Sequence, residues 1–337
     1  MQRSRKKLSL LIVLIIGLLV AVGITLTVGW RPFVGPRTRQ LTDRHFETTP
    51  ERLARGKYLV NSVTGCFSCH SPADLKRAGA PPQADRLGAG QHWPEKPLPW
   101  LVAPNITSDK ETGAGNWSDD ALARAIREGI GHDGRALFPV MPYQRYRSMS
   151  DEDLASVVVY LRTTPPIRNQ LPPSQIPFPL KFLIKSLPEP IYSTVPAPDQ
   201  STPVARGAYL VQMGSCADCH TPQDGGQPIA GMDFAGGWIL DGPTGAVASA
   251  NITPDPSGIS YYDENLFLHV MREGKVGARQ LNAAMPWSSY GLMSDEDLKA
   301  IFAYLRTLKP VKHRVDNIEP PTNCKVCKQR HGLGDQN

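Results

Sequence analysis

The sequence predicts an all-α fold in which two tandem helical domains with long loops follow an N-terminal transmembrane helix. Three observations support this prediction: a set of motifs that occurs twice in the same order, apolar residues at helical spacing late in each copy, and an apolar run near the N-terminus. No stretch shows the sustained alternation of apolar and polar residues that is typical of a β-strand.

The composition is that of a folded chain long enough for two domains. Its 337 residues are 41% hydrophobic and 20% charged, which excludes general disorder. The net charge of +6 is uneven, because Arg3, Arg5, Lys6 and Lys7 supply four positive charges before any acidic residue. The remainder is nearly balanced, so nucleic acid is not expected as a partner.

The N-terminus predicts a membrane anchor. A basic cytoplasmic segment, residues 1–7, precedes residues 8–30, which carry no charge and exceed the about 20 residues that span a bilayer. The basic cluster predicts that everything after this helix, from the juxtamembrane linker at 31–51 onward, lies on the periplasmic side of a bacterial inner membrane. A signal peptide cleaved near Ala21–Gly23 is the alternative, and it also exports the remainder.

The chain contains two copies of one domain. Seven segments recur in the same order, at offsets that drift only from 144 to 151 residues. The pairs are 54–60 with 205–211, 66–70 with 216–220, 105–107 with 251–253, 127–129 with 272–274, 141–142 with 285–286, 150–154 with 294–298, and 160–163 with 304–307. We assign the copies to residues 52–165 and 204–312, with a Pro-rich linker at 166–203 and a tail at 313–337.

Helices are predicted at matching places in both copies. Ser150 is a candidate N-cap, and Pro165 ends the helix. Between them, one helical face carries Leu154, Val157, Val158 and Leu161. The second copy repeats this pattern from Ser294. Shorter helices are predicted at residues 56–63 and 118–128, the latter ending at Gly129 as a C-cap, with Gly274 as its counterpart.

Two Cys-x-x-Cys-His motifs predict two covalently bound haem c groups. Cys66 and Cys69 stand three apart, as thioether bonds to the two vinyl groups of a haem require, and His70 then lies beneath the iron. Cys216, Cys219 and His220 repeat the motif. A zinc site, a redox dithiol and a disulfide are the competing interpretations, but further repeated ligands and a thioredoxin-like βαβ pattern are both lacking.

Methionines are the candidates for the sixth iron ligand. Met141 and Met285 align between the copies, and each is followed by proline, which holds the backbone extended. Met149 and Met293 also align, but they precede helix caps, where an apolar residue packs as a staple. His132 is a rival ligand in the first copy only. Met141 and Met285 would close both iron sites, which favours a carrier over a haem enzyme.

The repeated Asn-Ile-Thr segments, residues 105–107 and 251–253, match the glycosylation sequon, as do residues 116–118. We interpret these matches as coincidence. Instead, we expect each Asn-Ile-Thr loop to pack beside a haem and hydrogen-bond a propionate, or to form a plain structural turn.

Together these motifs resemble the cytochrome c subunits of membrane-bound alcohol, aldehyde and gluconate dehydrogenases, over about residues 52–312. The resemblance implies two class I-like cytochrome c domains with His70, Met141, His220 and Met285 as iron ligands. It also implies a dehydrogenase subunit as electron donor and a quinone, a cytochrome or a terminal oxidase as acceptor. The chain departs from that family by having two haem motifs where three are usual.

The expected function is therefore that of a non-catalytic, di-haem electron-transfer subunit in the periplasm. A di-haem enzyme such as a cytochrome c peroxidase is the first alternative, and it would need one haem with an open or displaceable ligand. A haem-based sensor is the second, and it would usually carry an added signalling domain.

The tail adds a second Cys-x-x-Cys pair. Cys324 and Cys327 are followed by Lys328 where a haem motif has histidine, and His331 comes shortly afterwards. A disulfide or free thiols, a metal site and a third haem are the three interpretations, and too few residues follow to enclose a third haem.

Overall fold

The computed structural model describes the backbone of residues 2–27, 29–93, 98–242 and 245–337. Within the first helix, it describes the side chains of Lys7 and residues 11–26.

The N-terminal segment is helical, but it does not support the predicted transmembrane anchor. Helix α1 spans Gln2–Leu26, and the short α2 spans Arg31–Val34. Within the described residues, no helix combines the length and hydropathy that a membrane crossing requires. The prediction of a transmembrane helix at 8–30 is therefore wrong, although residues 8–10 and 28 lie outside the described side chains.

Helices occur at matching places in the two copies. In the first copy they are α3 (Pro50–Tyr58), a π-helical turn (Leu59–Val63), α4 (Cys66–His70), a 3-10 turn (Ala84–Arg86), α5 (Asp119–Glu128), α6 (Tyr143–Tyr146) and α7 (Asp151–Arg162). The linker contains α8 (Leu180–Leu183) and a 3-10 turn (Ile184–Ser186). In the second copy and the tail they are α9 (Pro203–Met213), α10 (Cys216–His220), α11 (Glu264–Glu273), α12 (Trp287–Tyr290), α13 (Asp295–Leu305) and a 3-10 turn (Gly334–Gln336).

The all-α prediction is wrong, because the described chain also contains five small antiparallel sheets of two strands each. The pairs are β1 (Gln91–Trp93) with β2 (Leu101–Ala103), β3 (Gln223–Asp224) with β4 (Gln227–Pro228), β5 (Ile239–Gly242) with β6 (Gly245–Ala248), β7 (Lys275–Val276) with β8 (Arg279–Gln280), and β9 (Asp316–Asn323) with β10 (Arg330–Gly332). Most of these strands have two to four residues, too few for alternation to be visible in the sequence. The longer β9 contains two prolines and is mostly exposed, so it also lacks the pattern of a half-buried strand.

The described chain forms two compact units. The first comprises residues 1–43, 120–147 and 176–193, and the second comprises residues 44–119, 148–175 and 194–337. In the first unit, Arg39 pairs with the buried carboxylates of Asp120 (2.6 Å) and Glu128 (2.8 Å). The second unit holds the whole of the second copy together with both Cys-x-x-Cys-His helices.

Within the second unit, each copy is built on a close crossing of its first and last helices. Gly56 of α3 faces α7, and a Cβ atom there would overlap the Ser156 carbonyl oxygen. Gly207 of α9 faces α13 in the same way, and a Cβ atom there would overlap the Ala300 carbonyl oxygen. The repeated Ala-Arg-Gly motif therefore supplies the glycine that lets the two helix backbones touch.

The two last helices begin with identical caps. Ser150 Oγ accepts a hydrogen bond from Asp153 N at 3.1 Å, and Ser294 Oγ accepts one from Asp297 N at 3.1 Å. Both caps confirm the prediction from the Ser-Asp-Glu-Asp-Leu repeats.

Reciprocal hydrogen bonds join the two copies inside the second unit. Tyr58 of the first copy donates to Asp297 of the second at 2.5 Å, and Tyr209 of the second donates to Asp153 of the first at 2.7 Å. Each aspartate also receives an arginine of its own copy: Arg55 reaches Asp153 at 2.8 Å, and Arg206 reaches Asp297 at 2.5 Å. The repeated tyrosine and arginine thus form one contact twice.

Candidate functional site

Helices α4 and α10 present the two Cys-x-x-Cys-His motifs in the same way. Each helix follows a residue in the left-handed conformation, Gly65 with φ 55° and Ser215 with φ 54°. This sharp change of direction starts a new, single-turn helix on which all three motif residues lie. One helical turn therefore carries both thiols and the adjacent imidazole, as haem attachment requires.

Both motif histidines are held by one ring nitrogen, which leaves the other nitrogen for a metal. His70 Nδ1 donates to the Pro104 carbonyl oxygen at 2.8 Å, and His220 Nδ1 donates to the Ala250 carbonyl oxygen at 2.7 Å. A backbone carbonyl on Nδ1 fixes the tautomer and orientation of a ligating histidine. Desolvation lowers the pKa of both imidazoles, so each is neutral at pH 7 and able to bind iron through Nε2.

The Asn-Ile-Thr loops hold these carbonyl groups in place. Asn105 Oδ1 accepts from Thr107 N at 2.9 Å and from Thr107 Oγ1 at 2.7 Å, while Asn105 Nδ2 donates to the Ile167 carbonyl oxygen at 2.7 Å. Asn251 makes the same three bonds, with Thr253 at 2.9 and 2.8 Å and with the Val311 carbonyl oxygen at 2.8 Å.

The loop contacts decide between the earlier interpretations of Asn-Ile-Thr. Asn105 and Asn251 are 2% and 4% exposed, and their amides are engaged within the protein. This arrangement favours the structural turn over the propionate contact, and burial is incompatible with glycosylation at these two sequons. The turn still serves the site, because Pro104 and Ala250 immediately precede the two asparagines.

None of the four motif cysteines forms a disulfide among the described residues, and they differ in exposure from those of the tail. Cys66, Cys216 and Cys219 are partly exposed and Cys69 is exposed, whereas Cys324 and Cys327 are buried. Desolvation raises the pKa of Cys69 to about 12 and that of Cys219 to about 11. A redox dithiol needs a lowered thiol pKa, so this environment disfavours that alternative.

The two aligned methionine pairs lie in different surroundings. Met149 and Met293 are 1% and 2% exposed and belong to the core. Met141 and Met285 are only partly buried, and each lies in a turn before a short helix, α6 or α12. His132, the rival ligand, is exposed.

Met285 and His220 share the second unit, whereas Met141 lies in the first unit and His70 in the second. The turns around the two methionines are nevertheless alike. Met141 N donates to the Phe138 carbonyl oxygen and Met285 N to the Asn282 carbonyl oxygen, both at 3.1 Å.

Sequence reasoning missed a pair of buried donors beside these methionines. Among the described residues, Tyr143 Oη and Trp287 Nε1 are buried without a hydrogen-bond partner in the protein. They occupy equivalent positions, two residues after Met141 and Met285. The sequence contained one signal for this pair, namely that both residues follow an aligned Met-Pro. The signal was missed because one residue is tyrosine and the other is tryptophan.

The glycine of each Arg-Glu-Gly motif seats one of these rings. Gly129, with φ 71°, lies against the ring of Tyr143, and Gly274, with φ 63°, lies against the ring of Trp287. A Cβ atom at either position would overlap the ring. Left-handed backbone and lack of space both require glycine there.

In the second copy the residues present fit a haem. Within the second unit they supply two thiols on one turn, a neutral imidazole with Nε2 free, a half-buried thioether and, among the described residues, a buried donor that lacks a partner. The first copy has the same kinds of group, of which the thiols and the imidazole belong to the second unit and Met141 and Tyr143 belong to the first. An orphaned buried donor is costly unless a ligand satisfies it, and haem carboxylates are suitable acceptors.

The two attachment sites are neighbours within the second unit. Ser68 Oγ of α4 hydrogen-bonds Ser289 Oγ of α12 at 2.7 Å, and Tyr290 of α12 donates to the Gly214 carbonyl oxygen at 2.7 Å, just before α10. Cys219 lies close enough to Cys69 for its charge to contribute to the raised pKa of Cys69. Helix α12 therefore contacts both attachment regions.

A comparison with protein families gives one match that occurs twice. The cytochrome c family model matches residues 53–165 and again residues 204–309. The two matches together cover more than half of the chain.

Individual relatives include dehydrogenase subunits. The chain is similar to the gluconate 2-dehydrogenase cytochrome c subunit of Pantoea cypripedii, at 31% identity over 276 residues, covering 76% of this chain and 59% of that protein. It is 30% identical over 273 residues to the fructose dehydrogenase cytochrome subunit of Gluconobacter japonicus, covering 76% and 52%. The chain thus spans little more than half the length of these two subunits.

A third relative is closer to this chain in size. It is the diheme cytochrome c-type protein of Cereibacter sphaeroides, at 28% identity over 262 residues, covering 74% of this chain and 83% of that protein.

Proposed function

Because the chain belongs to the cytochrome c family, we propose that it is a periplasmic electron-transfer subunit serving a dehydrogenase. It carries two covalently bound haem c groups, in keeping with the duplicated family match and the di-haem relative. Electrons enter from a dehydrogenase subunit and leave to a quinone, a cytochrome or a terminal oxidase of the respiratory chain.

The observation that carries this proposal is the sameness of the two copies around their iron ligands. His70 and His220 ligate through Nε2, since Nδ1 of each donates to a backbone carbonyl group. Met141 and Met285 provide the opposite ligands, because they are the aligned methionines left outside the core. Histidine and methionine together raise the reduction potential of a haem iron and leave it no open position.

The contacts of α12 support electron transfer from one copy to the other. Helix α12 reaches α4 through Ser289 and the start of α10 through Tyr290. Haems held by the cysteines of these two helices would be attached to neighbouring parts of the second unit. One chain can therefore accept an electron at one haem and release it from the other.

The N-terminal composition and the names of the relatives support the proposed location and partner. Four basic residues precede an apolar run, a pattern typical of segments that direct export. The gluconate and fructose dehydrogenase relatives are named as cytochrome subunits, which supports a dehydrogenase as donor.

Carbon monoxide binding and redox titration test the ligand assignment. We expect the reduced protein to bind no carbon monoxide at either haem, and Met285→Ala to open one haem to the gas and lower its potential. Met293→Leu is the matched control. Met293 is buried in the core and is not an assigned ligand, so its replacement should leave both irons with six ligands. Carbon monoxide binding by the unmodified protein would instead favour a di-haem enzyme such as a peroxidase.

Isolation of the native complex tests the partner. A dehydrogenase subunit should copurify with the chain from its source organism, and the substrate of that dehydrogenase should reduce both haems. Recovery of the chain alone, with no dehydrogenase able to reduce it, would overturn the proposed partnership and leave the ligand assignment untouched.

A further inference from the structure

Four buried side chains near the C-terminus form a cluster that the haem sites do not use. His313 follows α13, Cys324 and Cys327 lie in the connection between β9 and β10, and His331 lies in β10. One ligand atom from each residue lies within 4.8 Å of every other. None of the four residues is more than 3% exposed.

The distances suit tetrahedral coordination. Cys324 Sγ lies 3.5 Å from His313 Nε2, and Cys327 Sγ lies 3.2 Å from His331 Nε2. Zinc bonds of about 2.3 Å to sulfur and about 2.0–2.1 Å to nitrogen imply ligand–ligand separations of about 3.3–3.8 Å in a tetrahedron. The distance between Cys324 and His313 lies in that range, and the other separations, none above 4.8 Å, need changes of about 1 Å or less to reach it.

Both imidazoles are oriented as metal ligands. His313 Nδ1 donates to the Ala235 carbonyl oxygen at 2.8 Å, and His331 Nδ1 donates to the Gly332 carbonyl oxygen at 2.9 Å. Each Nε2 therefore lacks a proton and faces a cysteine sulfur. This arrangement is the one that outer hydrogen bonds impose on ligating histidines.

The backbone around the cysteines forms a turn that presents both sulfurs to one side. Cys327 N donates to Cys324 Sγ at 3.5 Å, Lys328 N donates to the Cys324 carbonyl oxygen at 3.1 Å, and Lys328 is left-handed with φ 62°. Gly237 leaves the necessary room, because a Cβ atom there would lie 2.5 Å from His313 Cε1 and 3.3 Å from Cys327 Sγ.

From this geometry we infer that His313, Cys324, Cys327 and His331 bind one Zn²⁺ ion. Two thiolates and two neutral imidazoles balance the charge of a divalent ion, so the loaded site carries no net charge into the interior. Each thiol loses its proton when the metal binds. Four protein ligands complete a tetrahedral sphere, which makes the site structural rather than catalytic.

The ion fastens the tail to the loops of the second haem site. His313 reaches the loop at Ala235, and the Gly236 amide beside it donates to the His220 carbonyl oxygen at 2.7 Å. Asn317 exchanges two hydrogen bonds with the Ala248 backbone, two residues before the Ala250 carbonyl group that holds His220. Metal binding in the tail therefore stabilises the segment that orients the iron ligand.

The other interpretations of the tail fit the structure less well. A third haem would need histidine where Lys328 stands, and His331 is buried against Cys327. Cys324 and Cys327 are not joined as a disulfide, and a disulfide would leave two buried imidazole nitrogens without a ligand.

Metal analysis of the full-length holoprotein tests this site. Inductively coupled plasma mass spectrometry should find one zinc for every two haem irons after dialysis against metal-free buffer. His313→Asn should abolish most of this zinc, because asparagine can keep the bond to Ala235 but offers no second nitrogen. His92→Asn makes the same chemical change at an exposed histidine outside the cluster, so zinc content should not change.

X-ray absorption at the zinc edge keeps the test decisive if the variant fails to fold. The unmodified protein should show two sulfur and two nitrogen neighbours at zinc distances. A shell of nitrogen and oxygen only, another metal in the site, or a mass showing a Cys324–Cys327 disulfide with no zinc would overturn the assignment.

Discussion

The segments that follow α7 and α13 make equivalent hydrogen bonds, but only the second of them contributes a residue to the proposed metal site. Asn169 N donates to Thr112 Oγ1 and His313 N donates to Ser257 Oγ, both at 2.9 Å. The Asn169 side chain donates to the Ala89 carbonyl oxygen, and the His313 ring donates to the Ala235 carbonyl oxygen, both at 2.8 Å.

This difference separates what the haem fold needs from what the tail adds. The fold needs a side-chain donor at this position, because the carbonyl group it holds lies beside Gly90 or Gly236, whose amides both donate to the motif histidine's carbonyl oxygen at 2.7 Å. Asparagine and histidine both meet that need. Only histidine has a second nitrogen, and in the second copy Cys324 Sγ lies opposite it.

The downstream chain also covers the same surface in both copies. Ser174 exchanges hydrogen bonds with the Val102 backbone at 2.9 and 3.1 Å, and Asn317 does the same with the Ala248 backbone, at 2.9 Å each way. The first segment then continues through the linker to α8, and the second continues along β9 to β10. The metal cluster is thus an addition at the end of a scaffold whose contacts are otherwise duplicated.

Substitution of the two glycines at the helix crossings should have the largest effect on stability. Gly56→Ala and Gly207→Ala should each destabilise the fold by about 3 kcal/mol, because the added methyl group forces a helix crossing apart. Chemical denaturation of the holoprotein, followed by circular dichroism, measures both. Lys57→Ala, an exposed neighbour on α3, should have almost no effect. A large loss in only one of the two glycine variants would show that the crossings are not equivalent.

The reciprocal tyrosines should show a smaller and equally symmetric effect. Desolvation and the neighbouring aspartate raise the pKa of Tyr58 and of Tyr209, so both hydroxyl groups stay protonated and donate. Tyr58→Phe and Tyr209→Phe should each cost about 2 kcal/mol, since each removes a hydrogen bond to a buried carboxylate. Thermal unfolding monitors the loss, and Tyr192→Phe at an exposed position is the control. Unequal losses would contradict the reciprocity.

The duplicated helices could be predicted from the sequence, whereas a metal site was only one of three interpretations of the tail and His313 was not among its residues. Ser150 and Ser294 mark helix starts through local chemistry, and the structure places both caps as expected. His313 has no local signal, because its role depends on where a chain segment returns more than ten residues later. The strands were not predicted for a related reason. Strands of two to four residues are too short to show hydrophobic periodicity, and their pairing depends on the turns between them.

Substitutions at Asn169 and His313 should affect the two segments differently. Asn169→His should cost less than about 1 kcal/mol and add no zinc, because the ring can bond the Ala89 carbonyl group but no group of metal ligands lies there among the described residues. His313→Asn should instead speed trypsin cleavage at the tail, near Lys325, by weakening the contact that holds the hairpin. Limited proteolysis read by mass spectrometry distinguishes the two. Equal rates of cleavage in the two variants would contradict a role in holding the tail that belongs to His313 and not to Asn169.

The smallest expected effect concerns the buried donors that differ between the copies. Tyr143 Oη has no hydrogen-bond partner among the described residues, so Tyr143→Phe should leave stability almost unchanged unless the hydroxyl group donates to a haem carboxylate. Loss of that donor would leave the carboxylate charge less compensated, which favours ferric iron and lowers the potential of the first haem. The shift should be on the order of tens of millivolts, which corresponds to a fraction of the free energy of one hydrogen bond.

Trp287→Phe should likewise lower the potential of the second haem, because Trp287 Nε1 is the equivalent donor. Spectroelectrochemical titration measures both, with Tyr261→Phe at an exposed site as the control. A shift of the wrong haem, or an upward shift, would show that these donors do not face the haem carboxylates. A correct pair of shifts would mean that the copies keep one function at this position with two different side chains, as they do at Asn169 and His313.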